Sequence, residues 1–402
     1  MKPKTVIGLL AVVLILAAAS YFLLNDQTSN KKQGQMGDEL MQDLPLNDIA
    51  AITIFGPKGS VKLVHGPAVW QVENKYNYPA DFSKIIELTK NIKRIKVGRS
   101  FQATADSLAR QKLFDPKDEK APSGQKGIRI TLADDKNNPL ADLIIGNTRQ
   151  TSSGGSGQYL RKANEKTIYL AKDNFTLLEQ KPEAWLEKEI INIDAKEIKA
   201  VNCFADDSDQ LRYHLERPER TKAPKLISAP QKGTVDSNKI DQVFEALSPL
   251  NIDDINGPPR KADDPLPKTP TRLEYQLYNG KIITIYPASQ SVDNPKKALY
   301  QVTLTMDYRQ PESSTSSKPS KNNPKQKEGS TKTDIKDAKT KDSENSEKTK
   351  TKSPEEIKKE VLASNAKLKI WTFKFAKWQY DSFITSKEGL METNKENKIA
   401  PQ

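Results

Sequence analysis

Leu46-Asn47-Asp48-Ile49-Ala50-Ala51-Ile52-Thr53-Ile54-Phe55-Gly56 is the stretch from which the fold of this chain can first be predicted. Its apolar and β-branched residues favour a strand, and the Gly-Pro-Lys-Gly sequence at 56–59 favours a turn directly after it. Two further short segments, 60–64 and 69–73, have the same strand character. These three segments predict an antiparallel meander.

An amphipathic helix is predicted after the meander. Asp81 is a suitable N-cap, and apolar residues recur on one helix face from Phe82 to Ile95. More strands follow, and a helical segment at about 177–189 closes the unit. The intervening elements are a turn at Leu113-Phe114-Asp115-Pro116, strands at 127–133 and 140–146, and a hairpin of 158–162 with 167–171. We therefore expect a first α+β unit over 44–190, an antiparallel sheet packed on helices.

The same order of elements occurs a second time along the chain. Residues 197–201 match 48–52, and a second amphipathic helix is capped by Asp236. Strands are then predicted at 272–278, 281–286, 299–306 and, after a delay, 367–376, with a helical segment at 378–391. A chance similarity between two α+β domains is the alternative, but the matching order favours an internal duplication. We expect the second unit to comprise 191–311 and 358–392.

The delayed strand reveals a Lys-rich insertion at 312–357 inside the second unit. Residues 312–352 contain 11 Lys and 7 Asp or Glu, a net charge of 11 − 7 = +4, and almost no hydrophobic side chains. Such a composition cannot bury enough apolar surface to offset the entropy of ordering, so we expect disorder here. A solvated low-complexity insertion is the simplest interpretation, and capture of an anionic polymer or lipid is the alternative. Residues 393–402 are predicted to be a tail.

Residues 1–24 predict a cytoplasmic tip and a transmembrane anchor. An uncharged, mostly apolar run extends from Thr5 to Leu24, and as a helix it spans roughly 30 Å, the thickness of a bilayer's hydrocarbon core. Two lysines precede the run, so the positive-inside rule places the N-terminus in the cytoplasm. The body, after a polar tether at 25–43, is then periplasmic or otherwise extracytoplasmic. A cleaved signal peptide is the alternative, but we expect a single-pass protein of the cytoplasmic membrane.

The net charge of the chain limits which classes of partner it can bind, and its cysteine content limits its disulfides. The 402 residues carry a net charge of +12, with lysines distributed along the whole length. A basic balance can indicate nucleic acid, but a membrane anchor argues against that partner. Besides the lipid bilayer itself, an anionic envelope polymer or lipid headgroup fits better. The single cysteine, Cys203, excludes an intrachain disulfide, and its apolar neighbours predict a small core residue.

The sequence contains no recognisable catalytic, cofactor or metal motif, and we predict none of these sites. His65 and His214 lie in strand-like segments and are predicted to be exposed or half-buried strand residues. Gly154-Gly155-Ser156-Gly157 lacks the spacing of a nucleophile elbow and is predicted to be a flexible loop. Asp206-Asp207-Ser208-Asp209 lacks the ligand spacing of a calcium loop and is predicted to be a solvated turn. The tryptophans are predicted to be core anchors: Trp70, Trp185, Trp371 and Trp378.

Several of these segments resemble the bacterial envelope proteins of domain-of-unknown-function family 4340 (DUF4340). Besides the N-terminal anchor and the stretch 46–54, the matching motifs are Ala68-Val69-Trp70-Gln71-Val72, Tyr78-Pro79-Ala80-Asp81, Leu113-Phe114-Asp115-Pro116, Ile130-Thr131-Leu132-Ala133-Asp134, Leu143-Ile144-Ile145-Gly146-Asn147 and Gln158-Tyr159-Leu160-Arg161. The resemblance covers most of 1–190, extends more weakly into the second unit, and does not include the insertion. It implies a periplasmic accessory role beside gliding-motility-type ABC exporters, by association only.

Three functional hypotheses follow, in order of preference. The first is a non-enzymatic accessory or scaffold protein of an ABC-type transport system, held near its partner by the anchor. The second is a binding module for an anionic envelope polymer or lipid headgroup, using Lys-rich surfaces and the insertion. The third is an envelope enzyme with a site between the two units, which requires a constellation of residues that the sequence does not reveal.

Overall fold

A computed structural model of the protein describes most of the chain as two compact units, unit 1 (Met1–Lys188) and unit 2 (Glu189–Gln402). The predicted anchor from Thr5 to Leu24, the predicted tail, and most of the tether and insertion lie outside the described residues. Among the residues that are described, no helix is long and apolar enough to cross a bilayer. The described residues are 37–150, 156–172, 174–175, 178–205, 208–227, 234–290, 298–311 and 352–392.

The fold is α+β, as the pattern of strands and helices predicts, with large antiparallel sheets and five α-helices in the described ranges. The strands of unit 1 are β1 (Ala51–Gly56), β2 (Gly59–His65), β3 (Trp70–Val72), β4 (Tyr78–Pro79), β5 (Val97–Gln102), β6 (Ile128–Ala133), β7 (Pro139–Gln150), β8 (Ser156–Lys162) and β9 (Thr167–Ala171). Its helices are α1 (Phe82–Lys93) and α2 (Ala105–Gln111). The nine strands form one sheet in the order β4-β3-β2-β1-β6-β7-β8-β9-β5.

Unit 2 is built from ten strands and three helices among its described residues. Its strands are β10 (Glu189–Ile191), β11 (Ile198–Ala205), β12 (Leu211–Glu216), β13 (Lys225–Leu226), β14 (Leu250–Asn251), β15 (Asp254–Ile255), β16 (Thr271–Leu277), β17 (Lys281–Gln290), β18 (Leu299–Tyr308) and β19 (Phe373–Lys374). Its helices are α3 (Ser237–Glu245), α4 (Pro354–Leu368) and α5 (Lys377–Phe383). Strands β10 and β14 pair separately, and the other eight form a sheet in the order β13-β12-β11-β16-β17-β18-β19-β15.

The two large sheets have the same connectivity. Reading from β3 to β5 in unit 1 and from β13 to β15 in unit 2, eight strands correspond one to one in both sheet position and chain order. Strand β4 of unit 1 is the extra edge strand. The hairpin β8–β9 therefore corresponds to β18–β19, and the Lys-rich insertion falls inside that second hairpin.

Helices α1 and α3 are the corresponding helices of the two units, and each is capped as the sequence predicts. The Asp81 side chain accepts a hydrogen bond from the Lys84 amide at 3.2 Å, and Asp236 caps α3 in the same way. The buried apolar residues of the two helical segments are Ile85, Leu88, Ile92 and Ile95, and Ile240, Val243, Phe244, Leu247 and Leu250. Phe82 was predicted on this face but is 53 % exposed, because the first residue of α1 lies beyond the buried stripe.

The closing segments of the two units also correspond. The segment predicted at 378–391 is helical over α5 (Lys377–Phe383), whereas the segment predicted in unit 1 forms no α-helix among its described residues. In unit 1 the described part of the predicted segment 177–189 contains a 3-10 turn, Pro182–Trp185, and the first residue of β10, and the last carbonyl of the turn accepts from the Asp81 amide at 2.8 Å. In unit 2 a similar turn, Glu388–Leu390, follows α5, and its last carbonyl accepts from the Asp236 amide at 2.9 Å. Each turn thus accepts a hydrogen bond from the backbone amide of a helix N-cap residue.

The segment around β19 differs most from the sequence-based expectation. The strand predicted over 367–376 is wrong in extent, because α4 continues to Leu368 and β19 contains only two residues. Helix α4 begins at Pro354, so the end of the predicted insertion 312–357 is helical. A capping box between Ser353 and Glu356 starts this helix: the Glu356 amide donates to the Ser353 side chain, and the Ser353 amide donates to Glu356.

Candidate functional site: a groove bearing Trp378

A groove of about 920 Å³ lies in unit 2. Helix α3 forms one side of it and α5 the other, with the segment 248–253 beneath them. The side chains and backbone that line it come from Lys239, Gln242, Glu245, Ala246, Ser248, Pro249, Asn251, Asp253, Ala376, Trp378, Gln379, Asp381, Ser382, Thr385 and Gly389. Volumes of roughly 300–1,000 Å³ are typical of small-molecule sites. We call this surface the α3–α5 groove.

Trp378 lies on the α3–α5 groove and is 73 % exposed, so its prediction as a core anchor is wrong. The cause is the orientation of α5. The face of this helix that packs into unit 2 carries Gln379, Tyr380 and Phe383, and Trp378 lies outside that face. The other three tryptophans are core residues as predicted: Trp70, Trp185 and Trp371 are 8 %, 1 % and 7 % exposed.

The rest of the groove combines polar side chains with small apolar residues, and it has more acidic than basic side chains. Three carboxylates line it, from Glu245, Asp253 and Asp381, against one lysine, Lys239. The Asp381 carboxylate is also 2.5 Å from the ammonium of Lys377. Such a surface repels phosphates and other anions and accommodates neutral polar or cationic ligands.

Unit 1 has a smaller groove at the corresponding place. It occupies about 190 Å³ beside the C-terminal end of α1 and is lined there by Asn91, Arg94 and Ile95. Phe175, in the segment that follows β9, takes part in the opposite wall, and its amide donates to the Gln158 side chain at 2.6 Å. The two units therefore share the position of the groove but differ in its size and in its aromatic residue.

A second surface in unit 1 is basic. Lys58, Lys112 and Lys126 line a pocket of about 360 Å³ near the edges of β6 and β7, and none of the described residues that line it is acidic. None of these lysines forms an ion pair with another described residue. Uncompensated cations around one concavity favour an anionic ligand. We call this surface the lysine pocket.

Comparison with known proteins gives a single result. A protein-family model described as a domain of unknown function, DUF4340, matches residues 70–272, a little over half of the chain. The chain belongs to this family. No curated protein and no solved structure matches it.

The DUF4340 match begins in β3 and ends in β16, so it takes in parts of both units. The lysine pocket lies partly inside it, through Lys112 and Lys126. The α3–α5 groove is divided: Lys239 and Glu245 lie within the match, whereas Trp378 lies beyond it. The family assignment thus describes the fold of most of unit 1 and the first part of unit 2, and it carries no residue roles.

A charged cluster lies at the centre of the matched region. The Arg129 guanidinium donates to both oxygens of Asp142, at 2.8 and 2.6 Å, and to Asp115 at 2.6 Å. The hydrogen bond to Asp142 raises the pKa of Arg129, whereas burial lowers the pKa of the neighbouring Arg161. Arg161 donates to the backbone carbonyl of Leu113 at 3.0 Å. These contacts bind the 113–116 turn to β6, β7 and β8, which is a structural role.

The histidines and the cysteine occupy the environments predicted for them. His65 is exposed at the end of β2. Its ring is edge-on to that of Trp70, with 5.6 Å between the ring centroids. His214 is half-buried in β12 and shares a 2.6 Å hydrogen bond with Asn202. Cys203 is 2 % exposed, and burial raises the pKa of its thiol, so the thiol stays protonated.

The remaining candidate sites are only partly described. Gly154 and Gly155 lie outside the described residues, while Ser156 and Gly157 begin β8. Asp206 and Asp207 also lie outside them. Asp209 is exposed and pairs with Arg272 at 2.9 Å. Within the described ranges, no three His, Cys, Asp or Glu side chains converge as metal ligands would.

Four acidic side chains have displaced pKa values, and all four are displaced downward. Hydrogen bonds from Asn138 and the Ser353 amide lower the pKa of Asp134 and Glu356. A hydrogen bond from Lys281 lowers the pKa of Glu360, and a backbone amide does the same for Glu388. A lowered pKa keeps a carboxylate ionised near neutrality, so none of these groups is suited to act as a general acid.

Proposed function

We propose that this DUF4340 protein is a membrane-anchored, extracytoplasmic accessory protein that serves as a scaffold for an ABC-type transport or gliding-motility-like system. The observation that carries the proposal is the repeated architecture: two sheets of the same strand order, each with a groove between its capped helix and the segment after the last hairpin. Repeated modules with grooves at matching positions suit binding at more than one place. An internal duplication is the simplest origin of this arrangement.

In this proposal the N-terminal segment anchors the protein in the membrane. The run from Thr5 to Leu24 has the length and composition of a single membrane span, and the following tether is polar. Anchoring confines the two units to one membrane surface and raises their effective concentration near an integral-membrane partner.

Crosslinking in intact cells tests the scaffold proposal. The full-length chain, tagged at its C-terminus, is crosslinked, extracted in mild detergent and analysed by mass spectrometry. Permease and ATPase subunits of an ABC-type transporter are expected to be strongly enriched. The control is a fusion of residues 1–43 to an unrelated globular domain, which keeps the anchor and tether and is expected to lose the enrichment. Migration of the full-length chain alone contradicts the proposal.

An alternative function, binding of an anionic envelope polymer or lipid headgroup, is favoured by the lysine pocket. Lys58, Lys112 and Lys126 surround one concavity whose described lining has no carboxylate, which is a more specific arrangement than the general excess of lysine. Phosphate and carboxylate groups both satisfy such a site. The pocket, rather than the insertion, is the feature of the described residues that supports this function.

Charge neutralisation in the lysine pocket tests the alternative. Replacing Lys58, Lys112 and Lys126 with Gln is expected to weaken binding of inorganic polyphosphate to the full-length protein in nanodiscs by about ten-fold, and to reduce its salt dependence. The matched control neutralises the exposed lysines Lys117, Lys120 and Lys136, which lie outside the pocket. Equal losses in both variants, or a loss only when 312–351 is deleted, would contradict a role for the pocket.

A further inference from the structure

We propose that the α3–α5 groove binds a neutral oligosaccharide, with Trp378 as the surface on which a sugar ring stacks. This goes beyond the scaffold function, since it assigns a ligand class to a surface that the scaffold proposal leaves open. Three features of the groove carry the inference: its exposed aromatic residue, its polar lining and its charge.

The exposed aromatic residue is the first feature. An indole ring that is 73 % exposed leaves a large flat apolar surface in water, and exposed apolar surface at a concavity marks a binding site. The face of an aromatic ring carries negative potential, which attracts the slightly positive C–H groups on the flat side of a pyranose. The indole N–H remains available as a donor.

The polar lining is the second feature. Six of the fourteen other lining residues are amides or hydroxyls, groups that both donate and accept hydrogen bonds, as sugar hydroxyls do. They are Gln242, Ser248, Asn251, Gln379, Ser382 and Thr385. Of these six residues, Gln379 is the most buried, at 8 % exposed.

Charge is the third feature, and it distinguishes between classes of glycan. Three carboxylates, from Glu245, Asp253 and Asp381, exceed by one the two lysines at the groove, Lys239 and the Lys377 that pairs with Asp381, and this excess disfavours a polymer of phosphates or uronic acids. A neutral sugar has no such penalty, and carboxylates accept hydrogen bonds from its hydroxyls. At about 920 Å³, the groove can hold several linked rings.

The corresponding groove of unit 1 lacks these features. It is about 190 Å³ in volume, Arg94 lines it, and no described carboxylate does. Its aromatic residue, Phe175, is half-buried. Sugar binding is therefore assigned to unit 2 alone, and the stoichiometry is expected to be one.

The distribution of the tryptophans provides a direct assay. Trp378 is the exposed tryptophan, and the other three are at most 8 % exposed, so acrylamide quenching of intrinsic fluorescence reports mainly on Trp378. The full-length protein in nanodiscs, which avoid sugar-headgroup detergents, is titrated with the β-1,4-linked tetramer of N-acetylglucosamine. Saturable protection from acrylamide at one site per chain is expected.

Substitutions at the groove complete the test, with affinity measured by calorimetry. Trp378→Ala is expected to weaken binding by about ten-fold or more, and Trp378→Phe to restore part of the loss. The matched control is Leu362→Ala on α4, which removes a 60 % exposed apolar side chain outside the groove and is expected to leave affinity unchanged. Three results would each overturn the proposal: no binding of neutral tetramers, equal binding by Trp378→Ala, or preference for polygalacturonate. The scaffold proposal is independent of all three.

Discussion

Trp185→Ala is expected to lower the free energy of unfolding of unit 1 by about 3–5 kcal/mol, the range for removing a fully buried large aromatic side chain. Trp185 is 1 % exposed, and its indole nitrogen donates to the Glu179 carbonyl at 2.9 Å. Its backbone carbonyl accepts from the Asp81 amide, the N-cap of α1. The Trp185 side chain therefore holds the closing 3-10 turn against the start of α1. Its removal leaves a cavity and deprives the Glu179 carbonyl of its hydrogen-bond donor.

Urea unfolding with hydrogen exchange checks this effect. The full-length variant is expected to unfold at lower urea, and the amides of Asp81 and Glu187, which pair with Trp185 and Pro79, are expected to lose protection first. Trp185→Phe should recover part of the stability, because it refills much of the cavity. The matched control is Tyr76→Ala, which removes a 51 % exposed ring and should change the free energy of unfolding by less than about 0.5 kcal/mol. A loss below about 1 kcal/mol for Trp185→Ala would show that this contact does not hold the unit together.

Local signals in the sequence were sufficient to predict the repeated strands. In β1, alternation of buried Ile52 and Ile54 with half-buried neighbours follows the two-residue period of a strand. In α1, Asp81 and the i, i+3, i+4 spacing of apolar residues specify both the start and the buried face. Because these signals recur in the same order in unit 2, the correspondence between the two sheets could also be predicted.

Elements determined by tertiary contacts could not be predicted in the same way. Strand β19 has two residues and exists because β18 and β15 pair with it on either side. In unit 1 the closing segment was predicted to be helical, but the short 3-10 turn Pro182–Trp185 is held in place by contacts of Trp185 with the Glu179 carbonyl and the Asp81 amide. Helix α4, by contrast, had a readable signal: Ser353-Pro354-Glu355-Glu356 is a capping box, and Ile357 and Val361 follow at the spacing of one helix face.

The α3–α5 groove could not be predicted from the sequence, for two reasons. Its walls come from 239–246, 248–253 and 376–389, segments that are far apart in sequence and that tertiary contacts such as the Val235–Met391 bridge bring together. The exposure of Trp378 depends on which face of α5 packs inward, and a seven-residue helix with apolar residues on several sides does not specify this. The lysine pocket is likewise formed by three lysines far apart in sequence.

Arg129→Met is expected to lower the free energy of unfolding of unit 1 by about 2–3 kcal/mol, somewhat less than for a fully buried ion pair. The side chains of Arg129, Asp142 and Asp115 are 21 %, 16 % and 27 % exposed, so solvent screens the cluster only in part. Removing the guanidinium leaves two carboxylates that were both 2.6 Å from the same group, and they then repel each other. Urea unfolding of the full-length protein measures the change.

The decisive control for this cluster is whether the effect of Asp142→Asn on stability changes sign when Arg129 is replaced. Asp142→Asn alone should destabilise unit 1, because it removes a charge-assisted pair, but in the Arg129→Met background the same substitution should stabilise it by about 1 kcal/mol, because it removes the repulsion. The matched control is Arg110→Met. Arg110 pairs with Asp106 at 3.0 Å, but the two side chains are 68 % and 76 % exposed, so this pair should contribute less than about 0.5 kcal/mol to the free energy of unfolding. If Asp142→Asn destabilises both backgrounds equally, the aspartates do not interact through Arg129. The 113–116 turn is then held by packing of Leu113 and by the Arg161 hydrogen bond rather than by charge.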